Sequence, residues 1–522
     1  MRFPKLPAPD RIRQQVQTRF GGLDHTAGAE DGDIYDMANL WSGDFPRLSV
    51  RPGRRTLGSA AKPNGLFRAG RRFLADGNAL YADGVRVGTL TDGPKVFAAL
   101  GERVLIWPDK KVWTPAGGLE SLEAKYSAAG LAFSDGTYAG EPAKKNSITT
   151  PGEPFPFRAG DGVTIPPCAP TGGEALTLVV REVSADGKIL RFYEDSFAAV
   201  AIVSESLTLT RTVPDLDWVC VNENRVWGCK GDTICASKLG DPYNWNVFDG
   251  ISTDSWSWES GTEGEFTGCI SFLGYPCFFK ERHIFKVYGS RPSNFEPQSA
   301  PDFGVMAGCG RSLAIAGENL YYLSRVGPVV YAGGIPRPIG EPLGGRFHAG
   351  VGGSDGLKYR LSVLDEENRP RLYVYDALRQ LWHAEDDTRA AFFAPGPGGS
   401  LECLTAGGTL WTTDTGADGT AEGPVSWYAE FGDYTRGSPN KKGISKLLLR
   451  LEPEAGSRVS LLIRYDSTGA WETVGEITAE AKGSRYLAVI PRRCDHFRLK
   501  LTGTGGCIVH SLTTEAYVGS AN

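Results

Sequence analysis

The chain has little of what catalysis, metal binding or membrane insertion ordinarily requires. No apolar run reaches the roughly 18 residues of a membrane helix, and the opening MRFPKLPAPDRIRQQ lacks the apolar core of a signal peptide. Synthesis in the cytoplasm is therefore expected. The six histidines, His25, His283, His348, His383, His496 and His510, never pair at metal-ligand spacing, and no P-loop, dinucleotide fingerprint or Gly-x-Ser-x-Gly elbow occurs. No cofactor and no metal are expected. The carboxylates from Glu30-Asp31-Gly32-Asp33 to Asp36 echo a calcium loop but lack its later glutamate. The ten cysteines, from Cys168 to Cys507, contain no CxxC pair, which reads as buried free thiols. Lys and Arg number 56 against 61 Asp and Glu, and a net charge of -5 leaves no electrostatic footprint for wrapping nucleic acid.

What is abundant is turn punctuation: 67 glycines and 33 prolines are scattered through a chain that is 41% apolar, so strands are short and cores are real. The stretch Arg225 to Phe248, RVWGCKGDTICASKLGDPYNWNVF, reads as strand, tight turn at Lys230-Gly231-Asp232, returning strand, and a Leu239-Gly240-Asp241-Pro242 turn followed by Tyr243, Trp245 and Phe248. Comparable hairpins recur at Arg72 to Ala82, Arg103 to Thr114, Asn319 to Tyr331 and Tyr359 to Tyr375. Units of roughly 40 to 50 residues that cannot bury both faces alone suit radial repetition, so the expected fold is an all-β propeller of about six to eight blades.

Two regions break the rhythm. Residues 125–213 alternate through Leu176 to Val183 and Leu207 to Thr212, which suits a small antiparallel β-barrel inserted between blades. Residues 416–522 carry longer alternating strands with Leu447, Leu449, Leu461 and Ile463 facing a core, read as a C-terminal β-sandwich. Residues 1–60, without a strong period, read as an extended arm; blades occupy 61–124 and 214–415. A glycosidase would need paired carboxylates facing one cavity. Asp254 and Glu259 in the Trp-rich loop have no evident partner, and Asp466-Ser467-Thr468-Gly469-Ala470-Trp471 misses an Asp box by one residue. No enzyme activity is expected. Trp227, Tyr243, Trp245, Trp256 and Trp258 are the candidate binding residues, at a ligand or an interface.

Phe20-Gly21-Gly22-Leu23, Ala38-Asn39-Leu40, Asp44-Phe45-Pro46, Arg51-Pro52-Gly53, and above all Arg225-Val226-Trp227-Gly228, Ala236-Ser237, Leu239-Gly240-Asp241-Pro242 and Asn244-Trp245 are collinear with a known pattern. Over residues 15 to 415 the chain resembles the β-propeller tail-hub, nozzle or "stabilization" proteins of tailed bacteriophages. The resemblance implies a virion structural protein, made in the host cytoplasm, that forms a homo-oligomeric ring, commonly a hexamer. Such a ring joins portal or adaptor proteins to the tail and helps retain and conduct DNA during ejection, without sequence-specific contacts. An arm of this kind would fold onto a neighbouring subunit. A tail-tip receptor or carbohydrate-binding propeller, and then a glycan-degrading one, stand as alternatives.

Overall fold

The computed structural model describes residues 12–26, 33–134, 146–194, 196–198, 201–435, 441–466, 469–478, 481–490 and 492–518. Strand accounts for 54% of the chain and helix for 3%, the latter as short 3-10 turns. The chain divides into two compact units, residues 67–310 and residues 1–66 with 311–522. Small sheets dominate both, an arrangement that fits a β-propeller.

In the unit 67–310, four-stranded antiparallel sheets run to 89 from a strand that begins at Pro63, just before the unit, and over 96–121, 218–259 and 268–301, each a meander whose strand order follows the chain. The turns explain the pattern. Asn222 pairs with Arg225 across Glu223 and Asn224, both left-handed at φ 45° and 59°, the backbone that a two-residue hairpin between twisted strands requires. Gly231, at φ 56°, does the same between Lys230 and Thr233. The first strands of neighbouring sheets, Val96–Leu100, Trp218–Asn222 and Gly268–Phe272, lie side by side, so apolar faces of successive sheets close on each other. The segment expected as a Trp-rich loop is instead an outer strand, Trp256–Glu259.

Between the second and third of these sheets lies an eight-stranded antiparallel sheet spanning Ala124–Ala128 to Leu207–Arg211. Its entry and exit strands pair with each other, Ala124 opposite Arg211 and Ala128 opposite Leu207, so the insertion leaves and rejoins the chain at one place. It has its own core of Leu131, Phe133, Ile148, Val163, Leu190, Phe192 and their neighbours.

The other unit holds three small sheets, 314–338, 348–384 and 390–412, and two larger ones. The last small sheet is completed by Arg55–Ser59, which pairs with Thr409–Thr412 and brings early chain to late chain. Gly408 sits at that junction with φ +90°, and a Cβ there would lie 2.0 Å from the Ala60 carbonyl oxygen. The larger sheets centre on Lys442–Pro453 with Cys507–Val518, and on Arg458–Tyr465 with Phe497–Thr504. Leu447, Leu449, Leu461 and Ile463 are buried in them.

The N-terminal segment differs from the extended arm expected. Ile12–Gln17 pairs with Cys507–Val518, Leu48–Val50 with the same strand, and Ile34–Ala38 with Ser426–Phe431. Within the chain these residues extend the C-terminal sheets. Strands of two to six residues are too short to display a period, and their partners stand some 390 to 500 positions away in sequence, as for Ile12 with Tyr517 and Ala38 with Tyr428.

Candidate functional site

The five aromatic residues singled out from the sequence fall into two sheet-to-sheet cores of the unit 67–310. Trp227 is 2% exposed and lies 5.8 Å from Trp256 and 5.0 Å from Phe295, between ring centroids. Trp258 sits edge-on to Phe285 at 5.9 Å in the same cluster, and both outer-strand tryptophans are half-buried. Tyr243 and Trp245 belong to the neighbouring core, where Trp245 meets Trp107 edge-on at 6.1 Å. The structure does not gather the five onto one face.

The motif around them acts as a clamp. Arg225, 2% exposed, donates to the carbonyls of Ser237 at 2.8 Å, Ser252 at 2.7 Å and Asp254 at 2.5 Å, fixing the return loop by its backbone. Trp245 Nε1 donates to Pro242 at 2.8 Å, and Tyr243 N–H to the Asp241 carboxylate at 2.9 Å. The buried Asn244 side chain accepts from Gly162 N–H at 2.8 Å and donates to Asp161 at 3.1 Å and Asp241 at 2.6 Å. Asp161 also pairs with Arg211, which reaches the Leu122 carbonyl at 3.2 Å, while Tyr243 donates its hydroxyl to Glu120. The loop after the hairpin thus fastens the inserted eight-stranded sheet to the small sheet 218–259. Asp161 and Asn244 carry this work; the sequence singled out neither for it, Asn244 entering only through the Asn244-Trp245 motif of the resemblance.

In the other unit a cleft of about 800 Å³ opens beside the sheet 348–384. The Asp36 carboxylate accepts from the Tyr428 hydroxyl at 2.9 Å and lies 3.8 Å from His25 Nε2. Burial pushes its pKa up, but His25 and Tyr428 outweigh this and hold it below the usual carboxylate range. Tyr428 is pushed up by burial and by Asp36. Arg369 bridges Asp365 at 2.9 Å and Glu367 at 2.8 Å on the rim. At the back, Glu385 is 2% exposed between Arg54 and Arg360; despite burial, the Arg360, Arg54 and Arg51 guanidiniums bring its carboxyl down to about 2. Asp386 takes a second arm of Arg54 at 2.7 Å. With Tyr35 and Tyr373 also lining it, the cleft offers ionised carboxylates, guanidiniums and aromatic faces, a set suited to a polar, hydroxylated ligand.

Of the acidic stretch that echoes a calcium loop, residues 30–32 lie outside the described residues, and Asp36 lines the cleft. Among the described residues, Asp466, Asp495 and His496 are the group whose ligand atoms come close enough to hold a cation. Asp495 and His496 are joined at 2.7 Å, and Asp466 accepts from Asp495 N–H at 3.0 Å. Both carboxylates are exposed.

No protein-family model matches the chain, and no curated protein matches it in sequence. Solved structures give low-level likenesses. An exo-β-1,3-galactanase from Phanerochaete chrysosporium is 9% identical, with 57% of this chain and 94% of that chain covered at a TM-score of 0.22. The phage phi92 endosialidase is 8% identical over 88% of this chain and 81% of that chain, TM-score 0.29. A glycoside hydrolase with endo-xylanase and exo-arabinofuranosidase activity is 11% identical over 59% of this chain and 97% of that chain, TM-score 0.19. This finding goes against the expectation that the chain is not an enzyme: the similar structures are glycoside hydrolases and an endosialidase. Likenesses at this level assign no activity and no active-site residue to this chain.

Proposed function

We propose that the chain is a structural protein of a tailed-phage virion, a propeller whose copies form a ring, commonly sixfold, between the portal or adaptor region and the tail. Each of the seven small sheets is read as one blade, within the six to eight expected. The observation that carries the reading is the clamp. Of the residues behind the family resemblance, Arg225 and Trp245 brace the return loop and Asn244 ties that loop to Gly162 and Asp161 of the inserted segment, so the shared pattern is one of architecture. A net charge of -5 suits a channel wall past which DNA slides, since phosphate neutralisation would retard it. Mass spectrometry of density-purified particles, referenced to the portal protein, tests this. Roughly six to twelve copies per particle are expected for a closed ring, and absence from particles overturns the reading.

The cleft around Asp36 and Arg369 favours a second reading, recognition of a glycan at the tail tip with or without its cleavage. Glycan-array binding that is lost in Arg369→Ala supports recognition, and release of reducing ends from a bound polysaccharide supports cleavage. An array on which the intact chain binds nothing removes both.

A further inference from the structure

The cleft beside the sheet 348–384 carries a charge pattern that narrows what it can hold. Seven carboxylates and three guanidiniums line it. Most of these charges are spent within the chain. At the back, Arg54 and Arg360 take Glu385, and Arg54 with Arg51 takes Asp386. On the rim, Arg369 holds Asp365 and Glu367 in place, with Arg371 3.5 Å from Asp365. The other carboxylates are not covered in this way. Asp36 faces His25 at 3.8 Å and accepts from the Tyr428 hydroxyl at 2.9 Å, with no guanidinium on it. Glu366 and Asp387, both exposed, have no ion pair among the described residues, and Arg346 is the one lining guanidinium left to face them. An independent feature points to a ligand. Tyr373, on the strand Pro370–Asp376, is 6% exposed, its ring edge-on to Phe347 at 5.6 Å and to Trp382 at 6.4 Å. Its hydroxyl has no hydrogen-bond partner among the described residues and is not sealed in, so it opens into the cleft that the residue lines. Burial pushes Tyr373 up to about 12, which keeps that hydroxyl protonated at neutral pH.

We propose that the cleft takes a glycan bearing free amino groups, with ammonium groups set against Asp36, Glu366 and Asp387 and a sugar polar group hydrogen-bonded to the Tyr373 hydroxyl. This rests on the reading of the cleft as a glycan site and names the class of glycan for it. A carboxylate in a concave site attracts a cation more strongly than one on an open surface, because the low-dielectric walls focus its field. An ammonium supplies the counter-charge that the chain itself does not. A neutral sugar leaves these carboxylates uncompensated, and an acidic sugar meets like charge, so the selection works by repulsion as well as attraction. Tyr373 adds a contact that is indifferent to the ligand's charge, since a protonated hydroxyl can donate to or accept from any sugar hydroxyl or amine.

The test is titration calorimetry of the full chain with a glucosamine oligosaccharide, its fully N-acetylated counterpart and an oligogalacturonate of the same length. The glucosamine form is expected to bind about tenfold more tightly than the N-acetylated one at low salt, with the gap narrowing as salt is raised, and the galacturonate is expected not to bind. Tyr373→Phe should weaken both amino sugars by about fivefold and leave the thermal midpoint where it was, because the hydroxyl holds nothing within the chain. Glu366→Gln combined with Asp387→Asn should abolish most of the preference for the free amine while the affinity for the N-acetylated form stays the same. Equal binding of the two amino sugars, or a preference that survives the double substitution, overturns the proposal and leaves the glycan reading standing. Tighter binding of the galacturonate does the same. Failure of all three sugars to bind overturns both.

Discussion

Replacing Glu385 by glutamine probes the ion cluster behind the cleft. The carboxyl titrates at about 2 instead of its ordinary 4.5, and each tenfold is worth about 1.4 kcal/mol, so the ionised group contributes about 3 kcal/mol. Its folded pKa lies below its unfolded one. The contribution is therefore complete above about pH 4.5 and is lost as the pH falls towards about 2. Glutamine keeps the shape and one acceptor but leaves Arg54 to Asp386, and Arg360 to Asp355 at 2.8 Å. Breaking a buried pair from one side costs about 3–5 kcal/mol, in line with the titration figure. Scanning calorimetry of both proteins at about pH 7 should show the variant's transition roughly 6–12 °C lower, and the gap should shrink steadily towards about pH 2.5. A gap under about 1 kcal/mol at neutral pH, or one that does not change with pH, refutes the reasoning.

Burial lowers His383 to about 4, so protonation opposes folding, and wild-type stability should fall as the pH drops from about 6.5 towards 4. A His383→Gln variant that keeps the same slope in that window would count against this. Asn244→Ala leaves Gly162 N–H without its buried acceptor and takes one donor from Asp161, which keeps Arg211, and a loss of about 2–3 kcal/mol is expected. Hydrogen exchange should show Gly162 opening while the core of the inserted sheet around Phe133 stays protected; unchanged exchange at Gly162 would refute the clamp. Gly408→Val places a branched side chain at φ +90° against the Ala60 carbonyl, and should lower the thermal midpoint by several degrees, about 2 kcal/mol or more. Tyr428→Phe removes a hydrogen bond from Asp36, whose pKa should rise in a carbon-detected NMR titration; an unmoved value would mean that His25 alone holds it down.

Much of the fold is legible because it is local. Lys230-Gly231-Asp232 announces its turn through a glycine that tolerates positive φ, and the alternation in Leu207 to Arg211 matches a buried and half-buried face. A tryptophan on a short strand looks the same whether its face meets solvent or the next sheet, and Trp227 met the next sheet. The cleft was not legible: Asp36, Glu385 and Tyr428 come from three distant segments, and nothing in their local spacing marks them as neighbours.

The sequence by itself determined the all-β character, the hairpin rhythm and the places where that rhythm breaks, because turn propensity and period-two alternation act between residues a few positions apart. Only the tertiary structure decided which strands complete which sheets. Arg55–Ser59 finds Thr409–Thr412, and Ile12–Gln17 finds Cys507–Val518, through backbone hydrogen bonds that any side chains could accompany. The same long-range closure buried Arg54 beside Glu385, where low dielectric and mutual attraction turned two ordinary surface residue types into a fixed ion cluster.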